Sequence, residues 1–296
     1  MSNAQSWTHY WQQGHVESCI DNQSSDNNEL KRAWQTFSAL ITPEACVVDL
    51  ATGNGSVLKK LAEFKPHAEY VGVDYATVDP QWAINVKNVN FISDTSIDAL
   101  PFSNESVDIV TSQFGFEYGM NANAIKELIR VLKPRGYFQL IIHHEQSEIV
   151  LPAKRRHHEI DLVLAPNSLV EAIERYLGGL IDAPALESTG KTFLEKNQST
   201  LSQSISGQCF SVINKAVELQ SNNDLSSAVQ LVARLKDSLV KELARLSHLI
   251  TVAQSEQKID WLAEQLNKGQ IKVEIAQLET NEQQILAWVV KGQKHE

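Results

Sequence analysis

Cysteine is scarce in this chain, with three in 296 residues, Cys19, Cys46 and Cys209, far apart and odd in number. That excludes a disulfide framework and fits a reducing, cytoplasmic setting. Long apolar runs are missing as well, none approaching the roughly 20 residues that a membrane helix needs. The first residues lack the basic-then-apolar order of a secretory signal, so neither export nor a membrane partner is expected. Positive charge is in deficit: 26 Lys and Arg stand against 36 Asp and Glu, for a net charge of -10. Such an acidic balance argues against bulk electrostatic capture of nucleic acid. The one local basic run, Lys154-Arg155-Arg156-His157-His158, reads as a solvated helix face. What is left, 43% hydrophobic and 21% charged residues, describes a globular protein with one large domain and an insertion, or two domains.

The richest stretch is Val47-Val48-Asp49-Leu50-Ala51-Thr52-Gly53-Asn54-Gly55. An apolar run ends on an acid, a glycine-bearing turn follows, and an amphipathic helix is expected over Ser56–Phe64. A second apolar run, Val71-Gly72-Val73, ends on Asp74, about 20 residues past the glycines, as at nucleoside-cofactor sites of parallel sheets. Glycine lets the backbone approach a ligand without a Cβ clash. An acid at the tip of the next strand can accept hydrogen bonds from both vicinal ribose hydroxyls. A nicotinamide or flavin fingerprint would require G-x-G-x-x-G. Read from Gly53 the third glycine position holds Leu58, and read from Ala51 it holds Ser56, so neither register fits.

Further motifs follow in order: Asn90-Phe91-Ile92-Ser93-Asp94-Thr95, Leu100-Pro101-Phe102, Ser106-Val107-Asp108-Ile109-Val110-Thr111-Ser112-Gln113-Phe114, and Glu127-Leu128-Ile129-Arg130-Val131-Leu132-Lys133-Pro134-Arg135-Gly136-Tyr137-Phe138. Together with Asp49-x-Ala51-x-Gly53-x-Gly55 this succession resembles the class I S-adenosylmethionine (SAM) methyltransferases. It is similar in particular to the ubiquinone/menaquinone-biosynthesis C-methyltransferase type, over about residues 40–145 and again at the C-terminus. One position departs from the family: its first glycine is Ala51 here, for which a slightly shifted turn is expected. The resemblance implies SAM as cofactor and S-adenosylhomocysteine as product. It places the donor against Asp49, Ala51, Gly53 and Gly55, with Asp74 and Tyr75 at the ribose and Asp94 and Thr95 at the adenine. Gln113 and Phe114 would lie beside the methionine part, and Tyr10 would join from the N-terminal aromatic cluster Trp7, His9, Tyr10, Trp11.

The organisation expected is α/β, a Rossmann-like, mostly parallel sheet closed by a C-terminal antiparallel hairpin, with a large helical insertion between the fifth strand and the hairpin. Residues 1–45 form an N-terminal helical cap, with a short helix and loop over the cofactor pocket, a mobile connector at 21–28 and a helix at 29–41. Strands at 46–50, 70–74, 89–92, 107–111 and 136–143 alternate with helices, the clearest at 121–132, making a core of 46–147. Residues 148–266 are helical and resemble a substrate lid. Leu225, Val229, Val232, Leu235, Leu239, Leu243, Leu246 and Ile250 step by three and four, giving one long helix with an apolar stripe. Packing within the insertion and a homodimer seam both explain it. Alternating segments at 271–278 and 284–291, turned at Asn281-Glu282, form the hairpin within 267–296.

Methyl transfer from a sulfonium needs position and water exclusion more than acid–base machinery. The acceptor side offers Glu117, after the fourth strand, and His143 and His144, at the end of the fifth, as catalytic candidates. Histidine titrates near neutrality and can serve as a general base, but adjacent strand residues point to opposite faces, so at most one can face the substrate. The triplets His143-His144-Glu145 and His157-His158-Glu159 suggest a metal, yet strand alternation and helical twist separate their members, and no metal is expected. The sequence supports a SAM-dependent methyltransferase acting on a small-molecule acceptor by in-line displacement. It leaves open a catalytically silent SAM-binding relative that uses its helices for protein contacts, and disfavours a nicotinamide oxidoreductase.

Overall fold

The computed structural model describes residues 3–12, 14, 16, 25–197 and 204–296; Cys19 and residues 21–24 of the expected connector lie outside them. Two compact units divide the chain, one of residues 1–149 with 252–296 and one of residues 150–251.

The first unit is built on a seven-stranded sheet in the order β3-β2-β1-β4-β5-β7-β6. The strands are β1 Cys46–Leu50, β2 Glu69–Val73, β3 Val89–Ile92, β4 Val107–Gln113, β5 Leu132–His143, β6 Ile271–Glu279 and β7 Ile285–Lys294. The first five run parallel, and β7 pairs antiparallel with both β5 and β6, through Leu140 opposite Val290 and Ile275 opposite Val290. Strand alternation sends neighbouring residues to opposite faces. Val48, Val110 and Ile142 pack with α4 (Ala122–Val131) and α10 (Glu256–Lys268), through Ile125, Leu128, Leu262 and Leu266. Val47, Ile109 and Ile141 pack with α2 (Ser25–Ser38) and α3 (Ser56–Phe64), through Leu30, Trp34, Leu58 and Leu61. Each large side chain so buried stabilises the fold by roughly 1.5–3 kcal/mol.

Local chemistry explains the boundaries. Asn121 caps α4, its side-chain oxygen accepting from the backbone N–H of Asn123 and Ala124, which satisfies two otherwise orphaned donors. The hairpin turn is closed by Thr280, whose hydroxyl accepts from the N–H of Glu282 and Gln284 at 3.2 Å each. The helix expected at 29–41 begins at Ser25, so residues 25–28 are helical rather than part of a connector. This α2 is a layer of the core, because Leu30, Trp34, Phe37 and Ile41 share one buried face. Only α1 (Asn3–Gln12) remains from the expected N-terminal cap. At the other end the helical unit stops at 251, not 266. The apolar face of α10, Ile259, Leu262 and Leu266, joins the sheet's own core.

The second unit consists of α5 (Val150–Leu164), α6 (Leu169–Leu177), α7 (Ala183–Asn197), α8 (Ser204–Ser221) and α9 (Leu225–Val252). Of the stripe read along α9, Val232, Leu239 and Leu246 are buried, whereas Leu225 and Val229 stand about half exposed. Val232, Leu239 and Leu246 recur every seven residues and form the inward seam. Arg156 of α5 donates to Glu242 of α9 at 3.0 Å, and His157 meets the Ser247 hydroxyl at 2.7 Å. The basic run of the sequence is thus partly engaged within the bundle. Among the described residues no helix is long and apolar enough to cross a membrane.

Candidate active site

The strand order reverses between β1 and β4, which opens a crevice at the carboxyl ends of the strands, where ligands of open α/β sheets bind. Asp49, at the inner end of β1, is 1% exposed. Its two oxygens accept from the hydroxyls of Thr52 at 2.6 Å and Thr111 at 2.7 Å. Burial raises its pKa to about 7 against the pull of those two hydrogen bonds, and the neighbouring Asp74 charge raises it further. Asp49 therefore braces the turn and ties it to β4. Ala51 adopts a left-handed backbone at φ 51°, the conformation for which glycine is the usual choice. Its methyl group finds room because the facing residue is Gly115, where a Cβ would stand 2.7 Å from that of Ala51.

Asp74 closes the turn from the β2 side. Its oxygens accept from the backbone N–H of Gly53 at 2.7 Å and of Ala76 at 2.8 Å. It is 7% exposed, and burial holds its pKa above the usual carboxylate value although both bonds pull it down. Each carboxylate oxygen has a second lone pair, so Asp74 can hold the turn and still accept from a ligand hydroxyl. Gly53 and Gly55 have φ 53° and 75°. A side chain at Gly53 would collide with the indole of Trp11, and one at Gly55 with Phe91 and Trp82. Trp82 also donates its indole N–H to the Asn54 carbonyl at 2.8 Å. Tyr75 is largely exposed at the lip, and Asp94, left-handed at φ 54°, lies 3.4 Å from the Thr77 hydroxyl. Thr95 donates its N–H to the Asp74 carbonyl at 2.8 Å, so β2 and β3 present their acids side by side.

At the ends of β4 and β5 the candidates separate. Gln113 accepts from the Trp34 indole N–H at 2.7 Å, so its carbonyl supports α2. Phe114, at φ 54°, stacks on His143 with centroids 4.3 Å apart. Glu117, in the one-turn 3-10 helix Phe116–Tyr118 after β4, accepts through Oε1 from the His143 backbone N–H at 2.9 Å. The same oxygen lies 2.6 Å from His143 Nδ1. Both side chains are fully buried. His144 lies away from this pair. Its Nδ1 accepts from the Gln146 N–H at 3.0 Å, its ring lies against Trp288 at 4.5 Å, and burial lowers its pKa. Of the two histidines, then, the structure brings only His143 to Glu117. Among the described residues no group of three or more His, Cys, Asp or Glu side chains could hold a metal ion.

Helix α1 fastens to all three loops of the crevice. Trp11 accepts from the Asn54 side-chain amide at 2.9 Å through its carbonyl, the Thr8 hydroxyl accepts from the Thr77 N–H at 3.0 Å, and the Trp7 ring meets Tyr118 edge-on at 5.4 Å. Tyr10 meets Trp7 and Trp11 edge-on, at 5.7 and 5.0 Å, and the two indoles stack on each other at 5.9 Å. Among the site residues that the sequence alone did not single out, Thr8, Thr77 and Thr111 work through partners distant along the chain, whereas Thr52 bonds Asp49 three residues back. The residues present fit an adenosyl donor: side-chain-free backbone at 53 and 55, acids at the ends of β1, β2 and β3, and aromatic rings at the margin.

Known proteins resemble parts of this chain. The profile of a methyltransferase domain matches residues 48–140. A demethylmenaquinone methyltransferase of Thermus thermophilus is 39% identical over 98 residues, covering 30% of this chain and 43% of that protein. The ubiquinone/menaquinone biosynthesis C-methyltransferase UbiE of Rickettsia prowazekii is 25% identical over 171 residues, 53% of this chain and 68% of that one. A solved SAM dependent methyltransferase from Aquifex aeolicus aligns with 91% of this chain and 93% of its own at 14% identity, with a TM-score of 0.47. The chain thus spans less than half the length of the Thermus relative that it matches. With the profile running from β1 into β5 and the sheet ordered around a reversed β7, residues 48–140 match a methyltransferase domain, and the first unit is similar to class I SAM-dependent methyltransferases of the UbiE type.

Proposed function

We propose that this protein transfers a methyl group from SAM to a small-molecule acceptor. The observation that carries the reading is the Asp74 carboxylate bonded to Gly53 N–H at 2.7 Å, at the switch point of the sheet. It sets an acceptor for ribose hydroxyls beside a turn that carries no side chain at Gly53 or Gly55. The bound cofactor supplies a methyl group on a positively charged sulfonium, which an in-line nucleophile takes as the carbon–sulfur bond breaks with its electron pair left on sulfur. Asp74 with Tyr75 holds the ribose side, Asp94 and Thr95 flank the adenine side, and Ala51, Gly53 and Gly55 line the donor's turn beneath the rings of Trp11, Trp82 and Phe91. Asp49 acts one step removed, by fixing the turn through Thr52 and Thr111. Phe114, Tyr118, Trp7 and Trp11 exclude water, and a sulfonium among aromatic rings gains cation–π attraction. Glu117 is the catalytic residue on the acceptor side, held in place by His143, and His144 is a packed structural residue.

The acidic character of the chain supports a small metabolite over nucleic acid as acceptor. The relatives' names point to quinone precursors, and we extend only the class, a small molecule, to this chain. A rival reading, donor binding without turnover, draws on the position of Trp11 against Gly53, which places an indole over the donor's turn.

Calorimetric titration with SAM, S-adenosylhomocysteine and NADH tests the proposal. Micromolar binding of the two adenosyl-sulfur ligands alone is expected. Binding of NADH, or of none of the three, would remove it. Conversion of any acceptor would then exclude the silent reading.

A further inference from the structure

Glu117 is unusual among the acids of the first unit. Its Oε1 takes two bonds, from the N–H and the ring of His143, while its Oε2 is buried with no hydrogen-bond partner. An unmade bond of this kind destabilises the fold, more so when the group is charged. Buried polar atoms are otherwise almost always satisfied. The neighbouring acids show the contrast, since both oxygens of Asp49 and both of Asp74 are occupied. Nor is the Glu117 carboxylate free to turn away. Its other oxygen is fixed to β5, and its own 3-10 turn is anchored by Phe116 N–H donating to the Ser112 hydroxyl at 3.0 Å. The pair stands at the carboxyl ends of β4 and β5, the edge on which the donor's turn lies. Phe114 is stacked on His143, and Tyr118 lies 6.2 Å from the same ring.

We infer that Glu117 Oε2 receives the proton of the acceptor, and that the acceptor presents an acidic hydroxyl, phenolic or enolic, whose oxygen is the nucleophile. This rests on the methyltransferase reading above. A buried carboxylate oxygen with open lone pairs suits an O–H donor, whose nucleophilicity rises as the proton is drawn off. The same oxygen facing an amine would stabilise the ammonium form, which has no lone pair to attack with. In the transfer, the hydroxyl proton passes to Glu117 Oε2 and an oxygen electron pair forms the new O–C bond. The C–S pair leaves on sulfur, so a neutral ether, a neutral thioether and a protonated Glu117 result. His143 is the positioning residue, holding Oε1 so that Oε2 is the oxygen presented.

The test reads binding rather than turnover. The full chain, saturated with S-adenosylhomocysteine, is titrated with three probes that share a cyanophenyl ring: 4-cyanophenol, benzonitrile and 4-cyanobenzylamine. A hydrogen bond to a charged partner corresponds to roughly 10- to 100-fold in affinity, so 4-cyanophenol is expected to bind at least tenfold more tightly than benzonitrile. In Glu117→Gln that preference should shrink to about twofold or less, while S-adenosylhomocysteine affinity stays within about threefold. Equal binding of phenol and nitrile, no binding of either, tightest binding of the amine, or a preference that survives in Glu117→Gln would each overturn the inference. The wild-type comparison stands even where the variant does not fold. Failure of S-adenosylhomocysteine itself to bind would instead strike the methyltransferase reading.

Discussion

Burial raises the Asp49 carboxyl to about 7, against an ordinary 3.8 in the unfolded chain, and this has a consequence for stability. The folded state binds that proton more tightly than the unfolded chain. The stabilisation it brings is therefore complete below about pH 4 and is lost as pH rises toward about 7. At most this stabilisation amounts to about 4 kcal/mol. Asp49→Asn resembles the protonated form and cannot titrate, so it should gain stability relative to wild type between pH 5 and 8. Thermal melts across that range check this, and parallel curves would show that Asp49 keeps an ordinary pKa. At Ala51 the strain is in the backbone. A left-handed alanine costs roughly 1–2 kcal/mol, partly offset in Ala51→Gly by the greater entropy that glycine loses on folding. A net gain of about 0.5–1 kcal/mol, one to three degrees in Tm, is expected. A lower Tm would mean that the methyl's contact with the bare backbone at Gly115 outweighs the strain.

At the scale of elements, α1 is the part whose role the tertiary contacts define. It touches the β1, β2 and β4 loops through Trp11, Thr8 and Trp7, and its mean polarity would not mark it as a core helix. Removing residues 1–12 should speed dissociation of S-adenosylhomocysteine about tenfold or more, read by surface plasmon resonance. An unchanged rate would place α1 outside the binding event. The strands and α3 were legible from apolar runs of fixed period, and α3 runs over Ser56–Phe64 as the pattern predicts. The hairpin was legible for the same reason, its alternation matching a sheet edge with one solvated face. The allegiance of α10 was not, because an amphipathic helix shows that it has a partner without showing which one.

For the whole molecule, two units with separate cores predict separate responses to ligand. A ligand at one hundred times its Kd stabilises its own unit by about 2.7 kcal/mol. Scanning calorimetry with and without S-adenosylhomocysteine should therefore shift one transition upward and leave a second, from residues 150–251, where it was. A single transition that moves as one would mean that the units unfold together. The half-exposed Leu225 and Val229 of α9 leave both readings of its stripe standing at this scale, and sedimentation would settle the oligomeric state.

By itself the sequence determined what depends on neighbours in the chain. That comprises the alternation of strand and helix, the glycine turn between two acids, the antiparallel hairpin, and the order of motifs that marks the methyltransferase domain. Tertiary structure decided what depends on pairs far apart. It set Glu117 against His143 rather than His144, 26 residues away, and gave Asp49 its hydroxyl partner 62 residues on. It turned the Gln113 carbonyl to Trp34, 79 residues back. Periodicity fixes which face a side chain takes, but a hydrogen bond needs a partner within about 3 Å, and only the packed sheet brings such partners that close.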